Sequence, residues 1–464
     1  MTSMSQPGQA QSYVESDSKD QVEIPDVDAL ELPDAIPLEK DLSGLTAVSE
    51  TTCVQQVVPT HKDSEIDFPD GGFRAWLIVF GGACATFSSF GFVNAWGVFQ
   101  AYYQETLLPD VPASTIAWIG STQYALIFAT GLPLGRLFDL GIYHTPLMVA
   151  SVIQVVSTLL VGQCKEYWQF FLCQGVAVGL ASGCIFGPTL AVVSHWFKKR
   201  RSTAYGILAV GSSVGGTVYP IMVRNLITKI GFPWTMRVLA LILICSTGVV
   251  NLVMRRRLSP VKMPGGLFNP KAFKYPPFTL YTLACFVCFL GLYTVLTYID
   301  VSASLAGIDP AFGVYLLAIA NFSSAFGRVL TGILSDKMGC LTIMIPGTAL
   351  AAVLTYAWPF ARSLGPLIAI AILYGFSSGV FVGLVAIPLV HMGETADAGR
   401  RTGMLFTILS VAALVGPPIS GAVAERSGGY EAVGFYAGSA ILVSVALMIE
   451  VRYLITGHLF KGKF

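Results

Sequence analysis

An all-α membrane protein of twelve spanning helices in two six-helix bundles, behind a disordered N-terminal tail, is the fold class this sequence predicts. Three observations predict it. First, 54% of the 464 residues are hydrophobic and only 12% charged, with a mean hydropathy of +0.67, which is more apolar surface than one aqueous core can hide. Second, the chain repeats itself. Gly175 to Gly216 aligns without a gap on Gly375 to Gly416, so that Gly175, Gly179, Gly183, Pro188, Arg200, Arg201 and Gly216 match Gly375, Gly379, Gly383, Pro388, Arg400, Arg401 and Gly416. Each copy is an apolar segment with small residues four apart, an arginine pair and a second apolar segment, a unit that crosses a membrane and returns. Third, charge is segregated: residues 1–74 hold 15 of the 27 acids but only 4 of the 28 Lys and Arg.

In chain order, residues 1–70 are rich in Ser, Asp, Glu, Pro and Gln and cannot bury enough surface to offset the entropy of ordering. They read as a disordered acidic tail, regulatory or merely solvated. The polar, acidic start has no basic-then-apolar leader pattern, so insertion is expected to rely on the first spanning helix. Twelve apolar stretches of spanning length follow: 76–103, 116–138, 146–164, 168–195, 203–227 and 234–254, then 277–304, 313–335, 341–360, 366–390, 402–424 and 432–456. Long runs of Leu, Ala and Gly without two-residue alternation favour helices over membrane strands. The expected domains are a bundle over 71–256, a basic linker over 257–276, a bundle over 277–456 and a short tail over 457–464. Lys198, Lys199, Arg200, Arg201, Arg255, Arg256, Arg257, Lys262, Lys271, Lys274, Lys337, Arg400 and Arg401 crowd the connectors on one side, against Lys165, Lys229, Arg362 and Arg426 on the other. That bias places both termini in the cytosol.

Eight of the nine cysteines lie in or beside apolar segments and read as small hydrophobes. Cys285 and Cys288 have CxxC spacing but no nearby His or second pair, so no metal is expected. Neither a cofactor nor a nucleic-acid partner is expected. The chain has no GxxxxGK[ST] run to bind ATP, and no paired carboxylates or nucleophile elbow that would mark an enzyme.

Two motifs stand at the ends of the second and eighth stretches: GLPLGRLFDLG with Gly135 and Asp139, and GRVLTGILSDKMG with Gly332 and Asp336. The pair resembles the GxLxDrxG signature of the major facilitator superfamily. Glycine lets a neighbouring helix approach closely, and the aspartate can bind basic residues or a helix N-terminus across the gap. The resemblance implies a conformational latch of Gly135, Asp139, Gly332 and Asp336 with Arg200, Arg201, Arg400 and Arg401. Before the first stretch, Asp70, Gly71, Gly72 and Trp76 resemble, with one extra residue, the [DE]GGxGW element of the monocarboxylate transporter family. HWFKKRRSTAYGILAVG from His195 resembles that family's YFxKRRxLAxGxAxxG, and GPPISG from Gly416 is a third echo. Together they make the membrane region, about 75–456, similar to that family, and the acidic tail and lack of a long central loop resemble its fungal branch. The sequence departs from the proton-coupled members: the lysine position of the first helix falls on Asn94, the aspartate position of the eighth on Ser324, and only Arg328 remains.

Arg328 sits eight residues before Asp336, about 12 Å deeper at the usual helical rise. An arginine at a helix centre costs roughly 2.5–3.5 kcal/mol on insertion scales, so it should face a polar cavity or a partner. Its planar fork of donors suits an anionic solute; a structural pair with helix carbonyls or water is the alternative. Asn94, Tyr124, Tyr293, Asn321 and Ser324 complete the candidate solute site, with Gln123 at similar depth. Asp300 is expected to be exposed at the outer surface, His195 and His391 to lie at the interface, and Pro188, Pro388, Pro417 and Pro418 to mark kinks.

The expected function is a secondary transporter of a small organic solute, a monocarboxylate-like anion or fungal metabolite, working by alternating access. A metabolite efflux pump and a non-transporting nutrient sensor are the alternatives. Protons are the candidate coupling ion. A monomer in the lipid bilayer is expected, in the plasma membrane or, alternatively, the vacuolar membrane.

Overall fold

In hydrocarbon the backbone must satisfy its own hydrogen bonds, so long apolar runs become helices. The computed structural model describes residues 68–258, 266–393 and 397–458; the predicted disorder of the N-terminal tail concerns residues that, up to 67, lie outside these. The described chain is helical throughout its spans: α1 Phe73–Leu107, α3 His144–Val161, α4 Tyr167–Ser194, α5 Arg201–Ile230 and α6 Phe232–Val253, then α7 Pro276–Leu305, α8 Pro310–Met338, α9 Cys340–Ala357, α10 Leu364–His391, α11 Ala398–Ser427 and α12 Glu431–Thr456. Among the described residues, eleven helices are long and apolar enough to cross a membrane. The twelfth span, α2, is two pieces, Ala113–Ala129 and Gly131–Asp139.

The interruption of α2 has a local cause. Pro133 lacks the N–H that would bond the carbonyl four residues back. That carbonyl, of Ala129, instead accepts the Thr407 hydroxyl of α11 at 3.2 Å, and the same hydroxyl accepts the Leu132 N–H at 3.1 Å. Two further breaks lie in related places: α1 is interrupted at Asn94–Ala95, after a π-helical turn over Phe87–Gly91, and α7 at Tyr293. With the 200-residue repeat, Asn94 corresponds to the position beside Tyr293. The Leu292 carbonyl freed at the α7 break accepts the Tyr374 hydroxyl. Of the expected proline kinks, Pro388 follows a turn that splits α10 after Leu384, while Pro188, Pro417 and Pro418 sit within continuous helices.

Helices α1–α6 pack on one another, as do α7–α12, and the two halves meet where α5 lies along α8 and α2 along α11. Glycines make these crossings close. Gly206 faces the backbone of Arg328, a Cβ on Gly332 would come within 2.6 Å of the Ser202 carbonyl, and Gly135 lies against Gly399. Helix α8 shows the inverted amphipathicity of a membrane bundle: Phe322, Phe326, Leu330 and Ile333 are exposed, while Asn321, Ser324, Arg328, Thr331 and Ser335 are buried. Its polar stripe faces protein, and its apolar stripe faces what would be lipid.

Candidate functional site: a cavity around Arg328

Asn321, Ser324 and Arg328 recur at helical spacing on one face of α8, and all three line a cavity between the halves that Asn94, Tyr124 and Tyr293 also line. The six residues expected at the solute site are thus brought together. The void admits the centres of water molecules over about 80 Å³, room for roughly five to eight waters at about 10–15 Å³ each. The rest of its wall is mostly aromatic and aliphatic, with Phe90, Phe128, Phe186, Phe289 and Phe406 contributing and the hydroxyls of Thr86, Ser212 and Ser378 between them. Rings from the two halves touch across it: Phe128 and Phe289 at 5.4 Å, Tyr124 and Tyr293 at 5.6 Å. Such rings supply a large apolar surface with defined geometry.

Arg328 is only 7% exposed. Its Nη1 donates to the Ala209 carbonyl at 2.5 Å and to the Ser212 hydroxyl of α5, while its Nε is sealed without a partner. No Asp or Glu is among the described residues lining the cavity. A guanidinium has five donors, and these bonds use one nitrogen. Around it the polar side chains are tied together: the Tyr124 hydroxyl donates to Asn94 Oδ1 at 2.7 Å, Asn321 Nδ2 to the Gly216 and Leu317 carbonyls, and Ser213 Oγ lies 3.4 Å from Ser324 Oγ. The break in α1 therefore places Asn94 where α2 can hold it.

Gln123 differs from its neighbours. It is buried at the crossing with Gly179, neither amide atom has a partner among the described residues, and it does not line the cavity. Asp300 is half-buried against Gly313 of α8, its Oδ1 accepting the Val301 N–H at 2.8 Å, rather than standing free at the surface. His195 is buried beside Phe138, with ring centroids 5.2 Å apart.

At the end of the molecule that carries the arginine pairs, the two motif aspartates cross between the halves. Asp336 accepts the backbone N–H groups of Ser202 and Thr203 at 2.8 and 2.9 Å and the Thr203 hydroxyl at 2.5 Å. Asp139 accepts the Arg400 backbone N–H at 3.0 Å. Both carboxylates thus cap the N-terminus of a helix in the opposite half, where unsatisfied N–H groups and the helix dipole favour an anion. The arginine side chains go elsewhere. Arg200 is exposed, Arg201 Nε donates to the Phe197 carbonyl at 3.0 Å, and Arg400 and Arg401 lie 2.5 and 3.8 Å from Asp397 in their own helix.

The residues of the first signature reach those of the second. Asp70, with φ of 48°, directs Oδ1 at three successive backbone N–H groups, Lys198 at 2.7 Å, Lys199 at 2.6 Å and Arg200 at 3.3 Å. Consecutive N–H groups of this kind form an anion cradle, here filled by the chain's own carboxylate. Gly72 takes φ of 83°, which a side chain would resist. Trp76 packs on Phe197 at 5.1 Å, and Arg74 stacks over Trp196 at 5.7 Å.

The family model described as Major Facilitator Superfamily matches residues 78–392 and 300–458. The chain belongs to the major facilitator superfamily. Curated relatives agree. It is 35% identical to MFS-type transporter 1 of Ophiocordyceps sp. (strain BCC 1869), over 89% of this chain and 92% of that one. It is 33% identical to the aspyridones efflux protein of Emericella nidulans, over 88% and 84%, and 34% identical to the fujikurins efflux protein of Gibberella fujikuroi, over 88% of each. In fold it matches the human organic anion transporter MFSD10 (TM-score 0.63, 15% identity, 81% of this chain and 99% of that one) and a single-substitution variant of the E. coli fucose:proton symporter FucP (0.61, 14%, 81% and 99%). It is a multi-pass membrane transporter of the superfamily. The site contains residues the sequence did not single out. The five phenylalanines are indistinguishable, before folding, from the other Phe of apolar spans, and Ser212 is one small residue in a helix full of them.

Proposed function

We propose that this transporter of the superfamily exports an organic anion with an apolar or aromatic body, of the kind fungi make as secondary metabolites, by alternating access. The observation that carries the reading is Arg328: a buried cation with unused donors, facing a cavity lined by aromatic rings and by no described carboxylate. A buried charge requires a partner or a polar cavity, and a bound carboxylate or enolate would supply one while its body packs on the rings. The names of two relatives, efflux proteins for aspyridones and fujikurins, support the outward direction.

The finer assignment to a monocarboxylate-porter-like branch is supported by the contact between its two signature elements, Asp70 with the loop from Lys198 to Arg200. The basic end is proposed to face the cytosol, with both termini, in the plasma membrane, the protein acting as a monomer. Without a carboxylate in the described cavity wall, movement down the solute gradient is proposed rather than coupling through a proton on that wall.

Flux into proteoliposomes tests this. Arg328→Gln should reduce transport of an aromatic organic acid by about tenfold or more, on the scale of a lost charged hydrogen bond, and a neutral analogue much less. Equal losses on both would remove Arg328 from the site. An imposed pH gradient should leave flux unchanged when the solute is fully ionised; a strict proton requirement would reject the uncoupled mechanism.

A further inference from the structure

A second pocket opens at the basic end, beside the Asp336 latch, lined by Lys198, Lys199, Arg201, Asp336 and His391 and by Gly339 and Cys340 at the N-terminus of α9. It holds about 460 Å³ of space open to water. Arg201 is only 6% exposed, and its hydrogen bond to Phe197 uses Nε. Neither of its Nη groups bonds or ion-pairs with a described residue, and both belong to a side chain that forms the pocket wall. Asp336, the one carboxylate among the described lining residues, is already engaged by Ser202 and Thr203. Asp70 has taken the backbone N–H groups of Lys198 and Lys199, which holds the loop in place while both side chains remain exposed at the pocket. Three cations against two carboxylates that are both already engaged, Asp336 in the wall and Asp70 on the loop, together with a helix N-terminus, form an anion site.

We propose that this pocket binds a phosphate-type oxyanion, and that the bound anion ties α5 to α8 and α9 and holds the basic end shut. The proposal concerns a place distinct from the solute cavity and does not depend on which solute is carried. Two sources share this chemistry, the headgroup of an acidic phospholipid and free inorganic phosphate. Lysines exposed at helix ends stand at headgroup level, where acidic lipids attract them.

The purified full chain is tested with both probes: inorganic phosphate by its effect on thermal unfolding, and phosphatidic acid in phosphatidylcholine nanodiscs by mass spectrometry of retained lipid. Binding of either supports the site. A response to phosphate assigns it to the free ion, and selective retention of phosphatidic acid assigns it to the headgroup. Lys198→Gln with Lys199→Gln, both at exposed positions, should weaken binding by about tenfold, and Arg201→Gln by more. Binding should persist in Arg328→Gln; its loss there would assign the anion to the solute cavity and overturn the proposal. Binding of neither probe, or binding indifferent to the lysine pair, would overturn it as well. Backbone amide exchange over residues 202–204 should slow when the anion binds, and an unchanged rate would reject the tie to the latch.

Discussion

The two aspartate contacts between the halves at the basic end occupy matching positions of the repeat yet are built differently. Asp336 makes three hydrogen bonds to the start of α5, two of them to backbone N–H groups. Asp139 makes one, to the Arg400 N–H at the start of α11. The difference lies in what each helix already has. Helix α11 carries its own carboxylate at the N-cap, Asp397, which pairs with Arg400 and Arg401. At the corresponding point before α5 stands Phe197; Asp70 of the same half reaches the N–H groups only as far as Arg200, and those of Ser202 and Thr203 are capped from the opposite half by Asp336. A helix end capped from across the gap loses its cap when the gap opens; one capped within its own chain segment does not. The α5–α8 contact should therefore be the stronger of the two.

The largest expected effect is common to both contacts. Gly135→Leu and Gly332→Leu place side chains against the backbones of Gly399 and Ser202, so neither crossing can close, and transport should fall to background in either variant. A loss at one glycine only would show that one crossing carries all the closure. Next, Asp336→Ala should open the basic end by about a hundredfold and Asp139→Ala by about tenfold, because a charged hydrogen bond contributes about 1.5–3 kcal/mol, Asp336 accepts three against one for Asp139, and solvent reduces the value per bond at half-buried Asp336. The readout is the maleimide labelling rate of Ser202→Cys and Thr402→Cys in a chain without native cysteines. Equal responses would erase the comparison. Asp397→Asn sharpens it: without the internal cap, Asp139→Ala should approach the effect of Asp336→Ala, a coupling that a double-mutant cycle measures. The smallest change is Thr203→Val, which removes one hydroxyl bond to Asp336 and leaves the backbone pair; a few-fold rise in labelling at Ser202→Cys is expected.

Membrane immersion, the duplicated halves and the motif positions were all legible before folding. So was Arg328, because a cation eight residues inside a spanning helix is conspicuous on cost alone. The polar stripe of α8 could also be read, since Asn321, Ser324 and Arg328 recur at helical spacing. Gln123 shows where that reading stops: it stands next to Tyr124 in the same helix, yet one side chain lines the cavity and the other is buried away from it. A rotation of about 100° per residue separates neighbours on a helix, and depth along the span says nothing about which way each faces.

The sequence by itself determined the solvent, the repeat and the chemistry available, because hydropathy, periodicity and charge are properties of segments and survive without knowledge of their neighbours. Only the tertiary structure decided the partners. It turned the motif aspartates onto helix N-termini rather than arginine side chains, brought Asp70 to the loop after α4, and set five phenylalanines from different helices on the wall of the cavity that Arg328 lines. Those outcomes depend on helix rotation and crossing, which close glycine contacts between distant segments impose and no single segment contains.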